Sequence, residues 1–422
     1  AEQVLREHHS ELNHFSTNLF GHVISDSEAG AILVAGLTES KPLGRPARSV
    51  ESCRVLNDDY HLALKLKLQG LQDKVRTVQR PRRLETPAPK LRAGTPAEAG
   101  MCADAKTQID AVCRAWAEDT GEPFVTLVAR GGVIVTHEAF GQDAQGEPIS
   151  VEYRCWLASI TKSVTALLFS RFLDQRLIDL DDSLASVFPD YPSDDAHVPT
   201  FRQCFNHTSG LSGQSSYGGF HNPHLENVVL AGIDVNEPNT KYSYSGLGYE
   251  LAVKAMEIVT GQSAVRLYHR HLFEPLGIDN VPIDNASSDG HMTAMELGVL
   301  AQLVANRGSY GQRKLFSERT FESLLPDPLT VVERGHTTTE GIGLHWLRYP
   351  KPQAEPGSER SDGTLFSSQT VGHGSFSGCI FLIDLEQQLV ITQVRKRQGP
   401  DKGEWSARFF QTIAQCIEQP AK

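Results

Sequence analysis

Residues 159–162 read Ser-Ile-Thr-Lys, and an apolar run follows at once through Val164, Ala166, Leu167, Leu168 and Phe169. The run predicts a buried helix with Ser159 and Lys162 near its start. Side chains three apart lie on one helix face, so the hydroxyl and the amine are within reach of each other. A hydroxyl is a poor nucleophile until a base takes its proton. A lysine whose pKa is lowered by desolvation can be that base. A first-turn position would also let the helix dipole favour an oxyanion developing beside Ser159. Taken alone, the tetrad reads first as a polar helix start with a solvated lysine, and the rest of the chain reverses that reading.

The chain has 422 residues, 40% hydrophobic and 22% charged, the composition of an ordinary globular protein with one large domain and a small one, or two medium ones. Its net charge of −11 argues against nucleic acid as a main partner. No apolar stretch approaches a membrane-spanning length. Seven cysteines (Cys53, Cys102, Cys113, Cys155, Cys204, Cys379 and Cys416) are scattered without a C-x-x-C pair, and no H-E-x-x-H occurs, so neither a metal site nor a cofactor is expected. The odd count leaves at least one thiol without an intrachain partner. No clean G-x-S-x-G occurs either, which argues against a nucleophile elbow.

Three regions are expected. Residues 1–72 read as a small α/β module of unknown role, with an amphipathic helix at 2–19, a short strand at 31–37 and a half-buried strand at 62–68, where leucines alternate with Ala63, Lys65 and Lys67. Residues 73–96 (Arg80-Pro81-Arg82-Arg83, then Pro87, Pro89 and Pro96) read as a basic, extended linker. Residues 97–422 read as one domain. It opens with a helix at 105–118 and a hairpin of 123–130 with 133–139 around Gly131-Gly132. A largely helical middle follows, covering 228–260, 264–276 and 292–307. Strands at 343–349, 377–384 and 388–395 and a helix at 404–417 close it. The ends would share one antiparallel sheet around a helical insertion, an α+β fold.

Further segments give the tetrad its meaning. Phe205-Asn206-His207-Thr208-Ser209-Gly210-Leu211, then Lys241-Tyr242-Ser243-Tyr244-Ser245-Gly246, then Gly341-Ile342-Gly343-Leu344-His345-Trp346, then Gly372-His373-Gly374-Ser375-Phe376 follow Ser159 in fixed order. With the tetrad, these segments resemble the serine β-lactamase/penicillin-binding protein superfamily, on the branch of class C β-lactamases, D,D-peptidases, D-aminopeptidases and family VIII carboxylesterases. The resemblance spans about residues 94–420. It implies an antiparallel sheet flanked by helices with a mostly helical subdomain. It further implies that Ser159 is the acylated nucleophile, Lys162 its general base and Tyr244 the residue that passes the proton on. The backbone N–H groups of Ser159 and Phe376 would form an oxyanion hole, and His373, Gly374 and Ser375 the substrate-binding strand end.

The departures matter as much. Gly246 stands where relatives carry the Asn of a Y-x-N motif, and His373 where β-lactamases carry a Lys that holds a carboxylate. Ser375 replaces the usual Gly. Tyr retained without the Asn resembles family VIII esterases more than β-lactamases. The expected function is a serine hydrolase acting through an acyl-enzyme on a small-molecule ester, amide or peptide, with a short-chain ester leading. A D,D-peptidase, D-aminopeptidase or β-lactamase of the same chemistry is the alternative, and a catalytically decayed scaffold is a rival of another class. His207 is expected to serve a turn, and Cys155 the core. Relatives are mostly exported and Ala1-Glu2-Gln3 suits a signal-peptidase product, so a periplasmic or secreted location is expected ahead of a cytoplasmic one, although unpatterned cysteines do not demand an oxidising compartment. Oligomeric state stays open.

Overall fold

A computed structural model describes residues 50–193, 197–211, 219–231, 237–333, 336–349 and 364–418. Its middle layer is a seven-stranded sheet of β1 (Arg92–Ala93), β2 (Phe124–Arg130), β3 (Val133–Phe140), β4 (His345–Trp346), β5 (Thr370–His373), β6 (Ile380–Asp384) and β7 (Leu389–Arg395). The spatial order is β4-β5-β6-β7-β2-β3-β1. Every neighbouring pair is antiparallel except β1 with β3. The two ends of the domain thus meet between β7 and β2, as expected for an α+β fold with a helical insertion.

Helices α1 (Val50–Leu68), α2 (Ala105–Thr120), α3 (Thr161–Asp174), α4 (Leu247–Thr260), α5 (Ala294–Ala305) and α6 (Lys402–Gln415) pack around this sheet. All seven residues of β2 are buried, because successive side chains enter two different cores. Phe124 and Val128 join Ile109, Trp116, Phe409 and Ile413 of α2 and α6. Val125, Leu127 and Ala129 join Leu297 and Leu300 of α5 and, beyond them, α3 and α4. A sheet covered on both faces needs apolar residues at nearly every strand position; β6 is apolar but for Asp384, while β7 also buries Thr392, Gln393 and Arg395. Helix α5 starts at a capping box of Thr293 with Glu296, which satisfies donors at both ends of its first turn.

The expected hairpin is β2–β3, and the expected helices at 105–118, 292–307 and 404–417 are α2, α5 and α6 to within two residues at most ends. The strand expected at 343–349 shrinks to His345–Trp346. The helical stretch expected over 228–260 is described as two helices, Leu225–Ala231 and α4.

Residues 62–68 are not a strand but the end of α1. Leu62, Lys65 and Leu66 are buried at helical spacing, whereas Leu68 is 56% exposed. The leucine alternation satisfied a period of two, but i, i+3, i+4 carries the packing. Leu62, Leu66 and Leu71 join the same core as α3 and α4, so the described part of the expected N-terminal module is fused to the domain. Lys65 is tied to Glu226 by a buried ion pair and donates to the Pro223 carbonyl at 2.8 Å. The helix expected at 2–19 and the strand expected at 31–37 lie outside the described residues.

The basic stretch 73–96 lies along the domain. Arg82 and Arg83 pair with Lys314 and Arg313, and the N–H groups of Leu84 and Ala88 donate to Gln312 and Gly311 at 2.9 Å each. Among the described residues, no helix is long and apolar enough to cross a membrane.

Candidate active site

Ser159 sits in a single 3-10 turn, Ala158–Ile160, immediately ahead of α3. The chain reaches it along the short strand Cys155–Trp156, which pairs with His291–Met292. Leu157 N–H donates to the Gly290 carbonyl at 2.8 Å, and Gly290 N–H donates to Thr161 Oγ1 at 2.9 Å. Between them Ala158 takes φ +48°, a left-handed conformation that costs a residue with a Cβ about 1–2 kcal/mol. Backbone strain of this kind persists only where surrounding contacts impose it. Here it falls at the bend between the strand Cys155–Trp156 and α3. A first-turn position leaves backbone N–H groups without intrahelical acceptors, and Ser159 occupies one.

Every residue of α3 from Thr161 to Phe172 is buried, so Lys162 carries its amine into the interior at 3% exposure. Nζ donates to the Ser287 carbonyl at 3.0 Å and lies 4.7 Å from the centre of the Tyr244 ring. Burial lowers the ammonium to about 8, against the opposing pull of Glu250 and Glu340. An amine with that value is available as a base near neutrality. Close packing holds it there: a Cβ at Gly343 would stand 2.8 Å from the Lys162 carbonyl oxygen and 2.7 Å from Ala166 Cβ, and φ at Gly343 is +66°.

Tyr244 lies three residues before α4 and is 48% exposed. Burial of part of its ring raises the phenol, while hydrogen bonding to the Ser159 hydroxyl works the other way. Its ring packs 4.4 Å from that of His207, centre to centre. His207 takes φ +63° in the turn after the helix Phe201–Phe205, and its Nδ1 accepts from Ser245 N–H at 3.2 Å. Burial lowers this imidazole to about 3, helped by the charge of Lys162 and by His345. His207 thus supports the Tyr244 loop from below as a neutral ring. Gly246 begins α4 without a side chain to cap it.

The third segment leaves β5 at His373. That side chain is 5% exposed, its Nδ1 lies 2.7 Å from the Gly374 carbonyl oxygen, and its ring sits 4.4 Å from that of His345. Burial, and then His345, hold its pKa well below the usual histidine range, so it is neutral. A Cβ at Gly374 would meet nothing within 4 Å, which leaves open space beside the strand end. The Ser375 hydroxyl donates to the Leu157 carbonyl at 2.9 Å and touches Ser377 Oγ at 2.7 Å; Ser377 in turn donates to the Trp156 carbonyl at 2.8 Å. Two hydroxyls therefore stitch this loop to the segment that delivers Ser159. Between them stands Phe376, 78% exposed, with its ring edge-on to Trp156 at 6.4 Å.

The structure therefore brings Ser159, Lys162 and Tyr244 together, with the Phe376 loop fastened alongside. Sequence reasoning missed the two buried carboxyl groups around the lysine. Glu250 is 1% exposed and accepts from Ala286 N–H at 2.9 Å and Ser287 Oγ at 3.2 Å. Burial raises it to about 7. Glu340 is 6% exposed, accepts from the Tyr242 hydroxyl at 3.0 Å and is raised to about 8 by burial. The one signal in the sequence was a glutamate inside an otherwise apolar helical stretch, Leu247–Val253.

Comparison with known proteins gives a consistent picture. Residues 117–411 match the beta-lactamase family. Penicillin-binding protein 4 of Amycolatopsis lactamdurans is 33% identical over 127 residues, 28% of this chain and 33% of that protein. The esterase/beta-lactamase LipL of Mycobacterium tuberculosis is 26% identical over 164 residues, 38% of each. The chain thus spans about a third of the length of these curated relatives, 33% and 38%. Among solved structures, a family VIII carboxylesterase superposes with a TM-score of 0.57 at 16% identity, covering 75% of this chain and 98% of that one.

Proposed function

Because the chain belongs to the beta-lactamase family, we propose that it is a serine hydrolase that works through an acyl-enzyme, with a neutral ester as its leading substrate. The observation that carries this reading is Tyr244 placed between the other two, hydrogen-bonded to Ser159 and with the desolvated Lys162 amine 4.7 Å from the centre of its ring. In the proposed reaction Ser159 Oγ attacks the acyl carbonyl while Lys162 Nζ accepts its proton. The oxyanion that forms is held by the backbone N–H groups of Ser159 and Phe376; loss of one such donor typically costs about 10²–10³ in rate. The proton passes by way of Tyr244 to the leaving oxygen, the C–O bond breaks and the alcohol departs. Water then attacks the acyl-serine, gives its proton back along the same route, and releases the acid.

The ester preference rests on two features. Gly246 offers no amide to orient a substrate's own amide, and neutral, buried His373 offers no charge for a carboxylate. LipL, an esterase/beta-lactamase, shows in its name that both activities occur among relatives. The test is hydrolysis of p-nitrophenyl butyrate beside nitrocefin, with Ser159→Ala as control. Ester turnover that disappears in the variant, with little nitrocefin cleavage, is the expected result. Strong nitrocefin turnover would move the assignment to a lactamase or peptidase. No turnover and no fluorophosphonate labelling at Ser159 would leave a non-catalytic scaffold.

A further inference from the structure

We propose that Glu340 is a positioning residue for this reaction, holding the Lys162–Tyr244 pair where Gly246 provides no side chain to do so and setting how readily Lys162 gives up its proton. The inference rests on the acyl-enzyme reading above.

The geometry that supports it joins three parts of the site in one carboxyl group. Tyr242, two residues before Tyr244, donates its hydroxyl to Glu340 Oε2 at 3.0 Å. Glu340 Oε1 lies 3.2 Å from His345 Nδ1. The His345 ring in turn packs 4.4 Å from that of His373, where β5 ends beside the Phe376 loop. Glu340 itself cannot drift. It precedes a turn in which a Cβ at Gly341 would stand 2.5 Å from the Leu344 carbonyl oxygen and 2.7 Å from that of Leu324, and Ile342 N–H donates to Leu324 at 3.0 Å. One buried acid therefore links the loop that carries Tyr244 to the strand end that carries the third segment.

Its charge also reaches the reacting groups. Glu340 acts electrostatically on Lys162, on Tyr244 and on the buried Tyr249. Glu250, the other acid that Lys162 feels, is occupied with Ala286 and Ser287 and is not among the groups acting on Tyr244. The remaining titratable neighbours, His207, His345 and His373, all feel the Lys162 charge and are all pushed to the neutral form, burial being the first cause. Lys162 and Glu340 are thus a base and an acid that both titrate near 8 in one dry site, where they behave as a coupled pair. The sign of the coupling is fixed: an ionised Glu340 favours protonated Lys162 and delays its release as a base.

The experiment is the pH dependence of fluorophosphonate labelling at Ser159 in the full chain, for wild type, Glu340→Gln and Tyr242→Phe. Glu340→Gln keeps the shape and an acceptor for Tyr242 but removes the charge. Its rising limb should move to lower pH by about half to one unit. Tyr242→Phe removes a hydrogen bond that favours ionised Glu340, and should move the limb the same way by less. It serves as the second readout should Glu340→Gln fail to fold. A general loss of structure would lower the rate at every pH without moving the limb. A limb that stays in place or moves upward in a folded variant, or labelling that vanishes altogether there, would overturn the assignment of Glu340 alone. Absence of labelling in wild type would overturn the acyl-enzyme reading first.

Discussion

Replacing Lys162 by Met should abolish acylation and make the fold more stable at neutral pH than wild type, with the advantage lost at high pH. Folding lowers the ammonium from 10.5 to about 8 despite the pull of Glu250 and Glu340. One unit corresponds to about 1.36 kcal/mol, so a shift of roughly 2.5 units means that burying this group costs about 3 kcal/mol. A lowered lysine pKa means that the unfolded chain binds the proton more tightly. Wild-type stability therefore rises with pH between about 8 and about 10.5, and the whole cost is present below about 8. Met matches the length of lysine and carries no charge. It also leaves the Ser287 carbonyl without its 3.0 Å donor, a loss of about 1–3 kcal/mol. The net expectation is a gain of about 1 kcal/mol at pH 7 that becomes a deficit of up to about 2 kcal/mol near pH 10. The two acids push the same way, since without the lysine they ionise less readily as pH rises. Denaturant unfolding of both proteins at pH 7, 8, 9 and 10 measures the difference directly. A stability difference that does not change with pH would refute the account of Lys162 as a desolvated base, whatever the activity of the variant.

In wild type, fluorophosphonate labelling of Ser159 should climb about tenfold per pH unit below about 8 and level off above it; a profile flat from pH 6 to 9 would contradict Lys162 as the base. Gly343→Ala places a methyl group 2.7–2.8 Å from α3 atoms at φ +66°, and should lower stability by about 2 kcal/mol or more in denaturant unfolding. A cost under about 0.5 kcal/mol would mean that α3 shifts easily. Thr293→Ala removes the capping box of α5 and should cost about 1 kcal/mol by the same measurement, with ester turnover unchanged. His373→Lys should lower the thermal midpoint without adding nitrocefin turnover, because the new charge is buried beside Lys162 and His345. A stable variant with enhanced nitrocefin cleavage would show that this position faces the ligand.

What could be read beforehand was whatever depends on short spacing. Ser159 and Lys162 are three residues apart before an apolar run, so their relation follows from helix geometry alone. The β2–β3 hairpin and α5 were legible for similar reasons, a Gly-Gly turn in one case and a capped apolar helix in the other. Residues 62–68 were not, because Leu, Ala and Lys suit a helix by propensity while their order mimics a strand. Tertiary packing selects between the two, burying Leu62, Lys65 and Leu66 on one side of the helix. Strand β5, four residues long with Gly372 inside it, was legible only through the resemblance, which places the His373 segment at a strand end. Of the acids around Lys162, Glu250 was marked only by standing inside an apolar helical stretch, and Glu340 by nothing local: it lies 178 positions after Lys162 (340 − 162) and is buried by tertiary packing. The role of the Ser375 hydroxyl, turned onto Leu157, also depends on a contact between distant segments.

One physical condition connects these features. Lys162 can work as a base near neutrality only if its proton is held weakly, and desolvation achieves that only if the surroundings do not restore the preference for the charge. Around it, burial keeps His207, His345 and His373 neutral and raises Glu250 and Glu340 to about 7 and about 8. A carboxylate entering beside Gly374 would oppose that balance: an added negative charge near the amine favours its protonated form and removes the base. In sites that accept such substrates, a resident cation can offset the charge. Here His373 stands at that strand end, neutral and packed against His345. A neutral ester leaves the lysine free to act, so the preference proposed for this site follows from the same desolvation that prepares its base.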